Sequence, residues 1–521
     1  MFNSLYMALF RSIATIGSWT MGSRALGFVR DILIASMLGA GQVTDAFFVA
    51  LQLPNIFRRL FAEGAFNSAF IPIFTGELND HGRVKAREFS GQILGFMLVF
   101  LIIVSLLAEI FMPEVISIIA GGFSENPKTF NLAVDCARLT FPYLFFVSIA
   151  AMFSGILNTD ERFIAAAAAP LLLNIFLLAS LIGIDIGWFI KPGQTLSWAV
   201  LFAGIGQLCW LSIACFRAGL LPRMPRLTLS PKVRRLFVLM MPGILGAGVY
   251  QINVLVGVRL ATELPEGSVS FLYFADRVSQ LPLGVVGAAI GVALLPLLTR
   301  QLKSGDDQGA SASQNRAIEY SLLLTLPAMA ALIVLPTPII AVLFQRGEFG
   351  GDATVATANA LVAFALGMPA YVLIKALAPG FFAREDTSTP VKIAIIACVL
   401  NVFLAIILMS FLAHVGIALA TAISAWVNAS GLAFLLYRRG MLNPDKRLFL
   451  RATGSCFASI GMALVLWKVS SWLVFWLSPG SYQGIIALAF LVIVGIFVYA
   501  LLLQIVGVMR WKEMRSMFSK K

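Results

Sequence analysis

The residues most able to do chemistry lie in the first 65 positions, where charged side chains interrupt apolar sequence: Ser23-Arg24-x-x-Gly27-x-x-Arg30-Asp31, then Thr44-Asp45, then Pro54-Asn55-x-x-Arg58-Arg59-x-x-Ala62-Glu63. On a helix, Arg24 and Asp31 share a face, and Arg30 stands about 9 Å beyond Arg24 along the axis. Arg59 and Glu63 are at i and i+4 and can pair. Arg24, Arg30 and Arg58 then exceed the acids beside them. Guanidinium groups gathered away from bulk water suit a phosphate or diphosphate, because the planar fork binds oxyanions bidentately. The competing reading is a set of structural ion pairs, Arg30 with Asp31 or Asp45 and Arg59 with Glu63. A second group, Ser270, Asp276 and Arg277, precedes Pro282. Arg277 either adds a cation to the same chemistry or pairs with Asp276. Lys375 and Arg259 are weaker candidates, each able to serve as the partner of an acid, and for Arg259 only its charge argues for a site.

The elements that must hold these groups are membrane helices. Of 521 residues, 60% are hydrophobic and 12% charged, against about 25% charged in soluble domains. Apolar runs of about 20 residues recur along the chain, each long enough to span a bilayer as a helix. They do not alternate, which excludes a transmembrane barrel. The expected fold is an all-α polytopic protein of about fourteen spans, beginning near Ile13, Asp45, Ser90, Leu139, Phe163, Leu196, Leu236, Ser268, Ala317, Ala353, Val391, Val415, Ala452 and Tyr482. Met1 to Thr20 shows no small-residue cleavage site and reads as the lead into a retained first helix.

With the N-terminus inside, 26 of the 38 lysines and arginines fall in inside segments and four outside. The positive-inside rule then puts both termini in the cytoplasm, with an even number of spans. The net charge of +13 follows from orientation and anionic lipid and makes no case for nucleic acid. The other eight basic residues, Arg24, Arg30, Arg58, Arg59, Arg259, Arg277, Lys375 and Lys468, lie within spans. A charge there costs at least about 2.5–3.5 kcal/mol and by default marks function. Lys468, beside Trp467, reads as a snorkelling side chain. The five cysteines form no CxxC pair, so neither a metal site nor a disulfide framework is expected.

The chain also repeats itself. Pro142 and Asn174 recur as Pro369 and Asn401 at an offset of 227, and Gln52-Leu53-Pro54 recurs as Gln280-Leu281-Pro282 at 228. An offset of six spans means parallel halves: residues 1–219 and 220–440 as six-helix lobes, with 441–521 as an appended hairpin and basic tail. Duplicated lobes are transporter architecture, and helix breaks at matching positions, here Pro54 and Pro282, point to the substrate cavity.

Several stretches resemble the MurJ (MviN) family of lipid II flippases: SRALGFVRD (Ser23–Asp31), TDAFFVA (Thr44–Ala50), LPNIFRRLFAEGAF (Leu53–Phe66), FADR (Phe274–Arg277) and LAPGFFAREDTSTPVKI (Leu377–Ile393). The resemblance covers essentially the whole chain. It implies two six-helix lobes in a V and a last helix pair forming a lipid-facing groove. It places the family's cavity arginines on Arg24, Arg30, Arg58 and Arg277, and its sensitive acids and serine on Asp45, Glu63 and Ser270. Asp31, Asp276 and Lys375 join the charge network, and Gly39 and Gly41 could flex at an outer gate. The implied substrate is lipid II, an undecaprenyl-diphosphate-linked disaccharide-pentapeptide, flipped by alternating access with its diphosphate on the arginines. No cofactor is expected; a coupling ion (sodium or proton) or the membrane potential would drive release, and contact with cell-wall synthesis enzymes is implied. A flippase for another undecaprenyl-linked glycan shares the diphosphate chemistry. A multidrug antiporter of the same superfamily would need a carboxylate-rich cavity. A membrane enzyme would need catalytic groups in outer loops, where His414 is the single histidine and His81 falls in an inside loop.

Overall fold

The computed structural model describes residues 2–59, 66–224 and 226–508, and these are helix and connecting turns with no strand. Each of the fourteen expected starts falls on a helix. Among the described residues, ten segments are long and apolar enough to cross a membrane. The chain forms two compact units, Met1–Val269 and Ser270–Lys521.

The first unit contains α1 (Phe2–Leu38), α2 (Gln42–Phe57), α3 (Phe66–Ile110), α4 (Met112–Ile119), α5 (Pro127–Thr140), α6 (Tyr143–Thr159), α7 (Phe163–Asp185), α8 (Pro192–Arg217) and α9 (Pro231–Ala261). Local chemistry sets their ends. Asn126 caps α5 and Ser230 caps α9 by accepting from backbone N–H groups, each followed by proline at the first helical position, the place where proline's missing N–H costs nothing. Helix α3 bends at Gly82, whose φ of 76° only glycine adopts freely. Helix α7 packs on both α1 and α8, and α6 packs on α3 and α8.

The connector from α8 to α9 is strapped along α3. The amides of Arg223 and Arg226 donate to the carbonyls of Arg87 (3.1 Å) and Gly91 (3.4 Å). Arg87 Nε donates to the Leu221 carbonyl at 2.7 Å, and Arg83 Nη1 to that of Ala218 at 2.8 Å. The approach depends on two glycines. A Cβ at Gly91 would lie 2.7 Å from the Arg223 carbonyl oxygen, and one at Gly95 2.9 Å from that of Arg226.

The second unit carries α10 (Ser268–Lys303), which starts just before the boundary, then α11 (Asp307–Val334), α12 (Pro336–Phe344), α13 (Gly351–Phe382), α14 (Ser388–Leu412), α15 (His414–Arg438), α16 (Lys446–Trp472) and α17 (Tyr482–Ile505). Its packing repeats that of the first unit: α13 and α14 both pack on α15, as α6 and α7 both pack on α8. The turns that enter α7 and α14 also match, with Glu161 and Glu385 both at positive φ (58° and 63°). The repeat read from sequence is therefore a repeat of backbone. Helices α16 and α17 pack on α11 and α12 through an apolar cluster that includes Leu323, Leu335, Met462, Leu466 and Leu503. The outward face of α17 leaves Ile486, Ile493 and Phe497 more than 60% exposed. A continuous apolar stripe of this kind belongs in hydrocarbon, not water.

Candidate substrate-binding site

The first unit builds its charged site on α1, braced by α7. Arg30 and Asp31 are both buried, 6% and 1% exposed. Arg30 donates through Nε (2.9 Å) and Nη2 (2.6 Å) to one oxygen of Asp31. Its Nη1 donates to Asn174 Oδ1 on α7 at 2.9 Å. Asn174 Nδ2 in turn donates to the Ser23 carbonyl at 2.9 Å, so one amide ties two turns of α1 to α7. Gly27 faces the same amide, and a Cβ there would rest in ordinary contact with Asn174 at 3.5 Å. Asp31, one of the two acids open to Arg30, is bonded to it. Adjacent residues on a helix diverge, but the long arginine reaches back, and in a buried setting the pair replaces lost hydration. Arg24 is exposed and, among the described residues, makes no ion pair.

Asp45, 3% exposed, is engaged differently. Its Oδ2 accepts from the Gly267 amide at 2.8 Å. Beside it, Glu266 accepts from the backbone N–H and the side-chain amide of Gln42, both at 3.0 Å. The turn Gly39–Gly41 is thereby latched to the turn between α9 and α10. Gly39 takes φ 67°, its carbonyl accepts from Thr44 Oγ1 at 2.9 Å, and a Cβ at Gly41 would press on Glu266 at 3.1 Å. Pro54 lies inside α2. The helix widens into a π turn at Arg58–Arg59, a form frequent at functional sites, and Arg58 Nε donates to Asn55 Oδ1 at 3.3 Å. Glu63, the expected partner of Arg59, lies outside the described residues. Arg259 pairs with Glu263 at 2.7 Å and covers Gly121, where a Cβ would lie 2.6 Å from the guanidinium carbon; its place is structural.

In the second unit, α10 carries the remaining candidates. Arg277 is exposed and donates Nη2 to the Tyr273 hydroxyl at 2.8 Å, with its guanidinium carbon 4.8 Å from that ring's centroid. Asp276 accepts from Gln280 at 3.2 and 3.3 Å. Ser270 is fully buried, Lys375 on α13 is exposed, and Pro282 sits inside α10. Sequence reading missed the roles of Asn174, Gln42, Glu266 and Tyr273. Asn174 had a signal, since it recurs as Asn401 in the repeat; Glu266 and Tyr273 sit amid residues with no pattern that separates them from others.

The family model of the lipid II flippase MurJ matches residues 34–487, a range that includes Asp45, Arg58, Ser270 and Arg277 and begins just past Asp31. The "Probable lipid II flippase MurJ" of Rhizobium meliloti (strain 1021) is 44% identical over 91% of this chain and 89% of its own length. The "Lipid II flippase MurJ" of Burkholderia cenocepacia is 32% identical over 88% of this chain and 90% of its own. A solved lipid II flippase MurJ in an inward closed conformation shares the fold, with a TM-score of 0.77 at 24% identity over 94% of this chain and 98% of that one. An inward-facing MATE family multidrug resistance transporter of the MOP superfamily follows at 0.66 and 16% identity, covering 82% of this chain and 98% of that one. Long identity across nearly the whole chain, on a repeated helical fold with arginines set into its first helix, makes this protein a member of the MurJ family.

Proposed function

We infer that this protein is a lipid II flippase: a multi-pass membrane transporter that carries the undecaprenyl-diphosphate-linked precursor of peptidoglycan between leaflets by alternating access. Family membership supplies the substrate. The observation that carries the chemistry is the contrast on α1, where Arg30 is buried and held by Asp31 and Asn174 while Arg24, two turns earlier, is exposed. One guanidinium braces the helix and the other is available to a diphosphate oxygen. Arg58 and Arg277 complete the set in our reading, each already oriented by a neighbour, Asn55 or Tyr273. The latch of Asp45 and Glu266 onto the facing turn is the gate that must open for release outward, with Gly39 and Gly41 as its pivot. Pro54 and Pro282 are the matching helix breaks, and Ser270, Asp276, Lys375 and Glu63 belong to the surrounding polar network.

We divide the working machine into lobes 1–219 and 220–440 and the hairpin 441–521, with both termini in the cytoplasm on the strength of the lysine and arginine bias. Release is driven by a coupling ion or the membrane potential. The chain performs no covalent chemistry on the lipid, and it delivers its product to cell-wall synthesis enzymes. The test uses cells depleted of their own flippase and supplied with this protein or Arg24→Ala, with lipid II labelled from outside. Restoration by the intact chain and loss in the variant are expected. No restoration by a folded intact chain would assign the protein to another lipid-linked glycan.

A further inference from the structure

A cavity of about 520 Å³ opens where α6, α7 and α8 end together, far along the chain from the arginine site. Its walls include Glu161, Arg162, Ile164, Trp210, Ile213 and Arg217. Ile164, Trp210 and Ile213 are each about half exposed, and they lie on the apolar spans Phe163–Asp185 and Pro192–Arg217, so this wall faces hydrocarbon. The charges stand at the extreme ends of those spans, which is headgroup depth. Trp210 is fixed there by its indole N–H, which donates to the Ala165 carbonyl at 3.0 Å.

The charges are of both signs. Arg162 is held at one edge by Asp160 at 2.9 Å. Arg217 and Glu161 line the same space, yet neither forms an ion pair with the other or with any described residue. Glu161 stands in the turn between α6 and α7, at positive φ. A simple anion would meet Glu161 as a repulsive neighbour. A simple cation would meet two guanidiniums. A zwitterion satisfies all three.

We propose that this cavity binds an aminophospholipid of the surrounding leaflet, its phosphate on Arg217 and the free edge of Arg162, its primary ammonium on Glu161, and an acyl chain along Ile164, Trp210 and Ile213. A primary ammonium donates three hydrogen bonds, whereas a quaternary choline head donates none, so the carboxylate selects ethanolamine over choline headgroups. A phosphatidylglycerol head offers Glu161 neutral hydroxyls but no countercharge. The site rests only on the membrane-embedded fold and is independent of which lipid-linked glycan is carried.

The test is native mass spectrometry of the delipidated full-length chain in detergent, with phosphatidylethanolamine, phosphatidylcholine or phosphatidylglycerol added at equal concentration. Phosphatidylethanolamine should be retained in preference to both others. Arg217→Ala should weaken it roughly tenfold or more, the scale of one charged hydrogen bond. Glu161→Gln should keep phosphate binding but erase the preference over phosphatidylglycerol. Thermal unfolding of each variant separates lost binding from lost fold, and if Arg217→Ala unfolds early, Glu161→Gln alone decides. Equal retention of the three lipids by the intact chain, or an unchanged preference in Glu161→Gln, overturns the proposal. Loss of the headgroup preference with lipid II exposure in cells unaltered would leave the flippase reading intact.

Discussion

Asp31 and Asn174 divide the work of holding Arg30. Asp31 supplies the countercharge at 2.6 Å and Asn174 fixes the third nitrogen while bonding α1 at Ser23. Removing one member of a buried pair leaves a bare charge, at a cost of about 3–5 kcal/mol, whereas removing both is much milder. Asp31→Ala should therefore lower the unfolding temperature sharply, and Arg30→Met/Asp31→Leu should recover most of it. If Arg30 also handles substrate, the double variant will be stable and still fail to expose lipid II; recovery of both stability and exposure would make Arg30 purely structural. Arg24→Lys addresses shape against charge at the exposed position, since lysine keeps the charge and loses the fork; external labelling of lipid II should fall severalfold. The arginines themselves were legible in the sequence, because a charge inside an apolar run declares itself. Asp31 was legible as a partner of Arg30, and Asn174 was not. Asn174 lies 144 residues from Arg30, and nothing in local spacing links positions that only packing brings together.

Elements show the same division. The expected starts fall on helices, and ten segments among the described residues are long and apolar enough to cross a membrane, because runs of apolar residues are visible in sequence directly. The connector strapped along α3 was invisible, since the bonds from the amides of Arg223 and Arg226 and from the side chains of Arg83 and Arg87 end on backbone carbonyls, which no sequence pattern marks beyond Gly91 and Gly95. Those glycines give the strap a test. Valine at 91 would place a Cβ 2.7 Å from a carbonyl oxygen that belongs to backbone and cannot swing aside. Gly91→Val should free the amides of Arg223 and Arg226 to exchange with solvent at least tenfold faster, read by hydrogen–deuterium exchange, with α14 and α15 unaffected. A turn on the second unit makes a pH prediction. Asp386, between α13 and α14, accepts from the Thr389 hydroxyl (2.6 Å) and amide (3.0 Å) and from Arg439 (2.7 Å). The Thr389 bonds, with those from Arg439 and Ser388, hold its carboxyl well below the usual carboxylate range. A depressed folded value means that the charged form stabilises the fold above the unfolded value, about pH 4, and that this stabilisation is lost as pH falls through the folded value. The difference in unfolding temperature between the intact chain and Asp386→Asn should be steady above pH 5 and shrink below about pH 4.

At the scale of the molecule, the duplicated helices leave α16 and α17 as an addition that must either ride on the second unit or move independently of it. Their anchoring is of two kinds. Apolar packing surrounds Tyr499, whose hydroxyl donates to the Leu323 carbonyl on α11 at 2.7 Å. At the other end, Glu319 on α11 is 2% exposed and takes Arg451 at 2.6 Å and Arg447 at 3.4 Å, with Arg316 bridging Glu319 to Asp445 at the cap of α16. The linker before α16 is fixed as well: Asn315 donates to the Asn443 carbonyl at 2.7 Å, and the Asn443 amide donates to Ser311 at 3.0 Å. Buried charge, two-point hydrogen bonding and a shared apolar cluster together argue for a single rigid body. Spin labels at the exposed positions Leu324 on α11 and Ile486 on α17 should give one narrow distance distribution that lipid II addition leaves unchanged. Glu319→Ala removes the common acid of three arginines and should broaden that distribution and lower the unfolding temperature. A distribution that already shifts with lipid II in the intact chain would instead make the hairpin a moving part of transport.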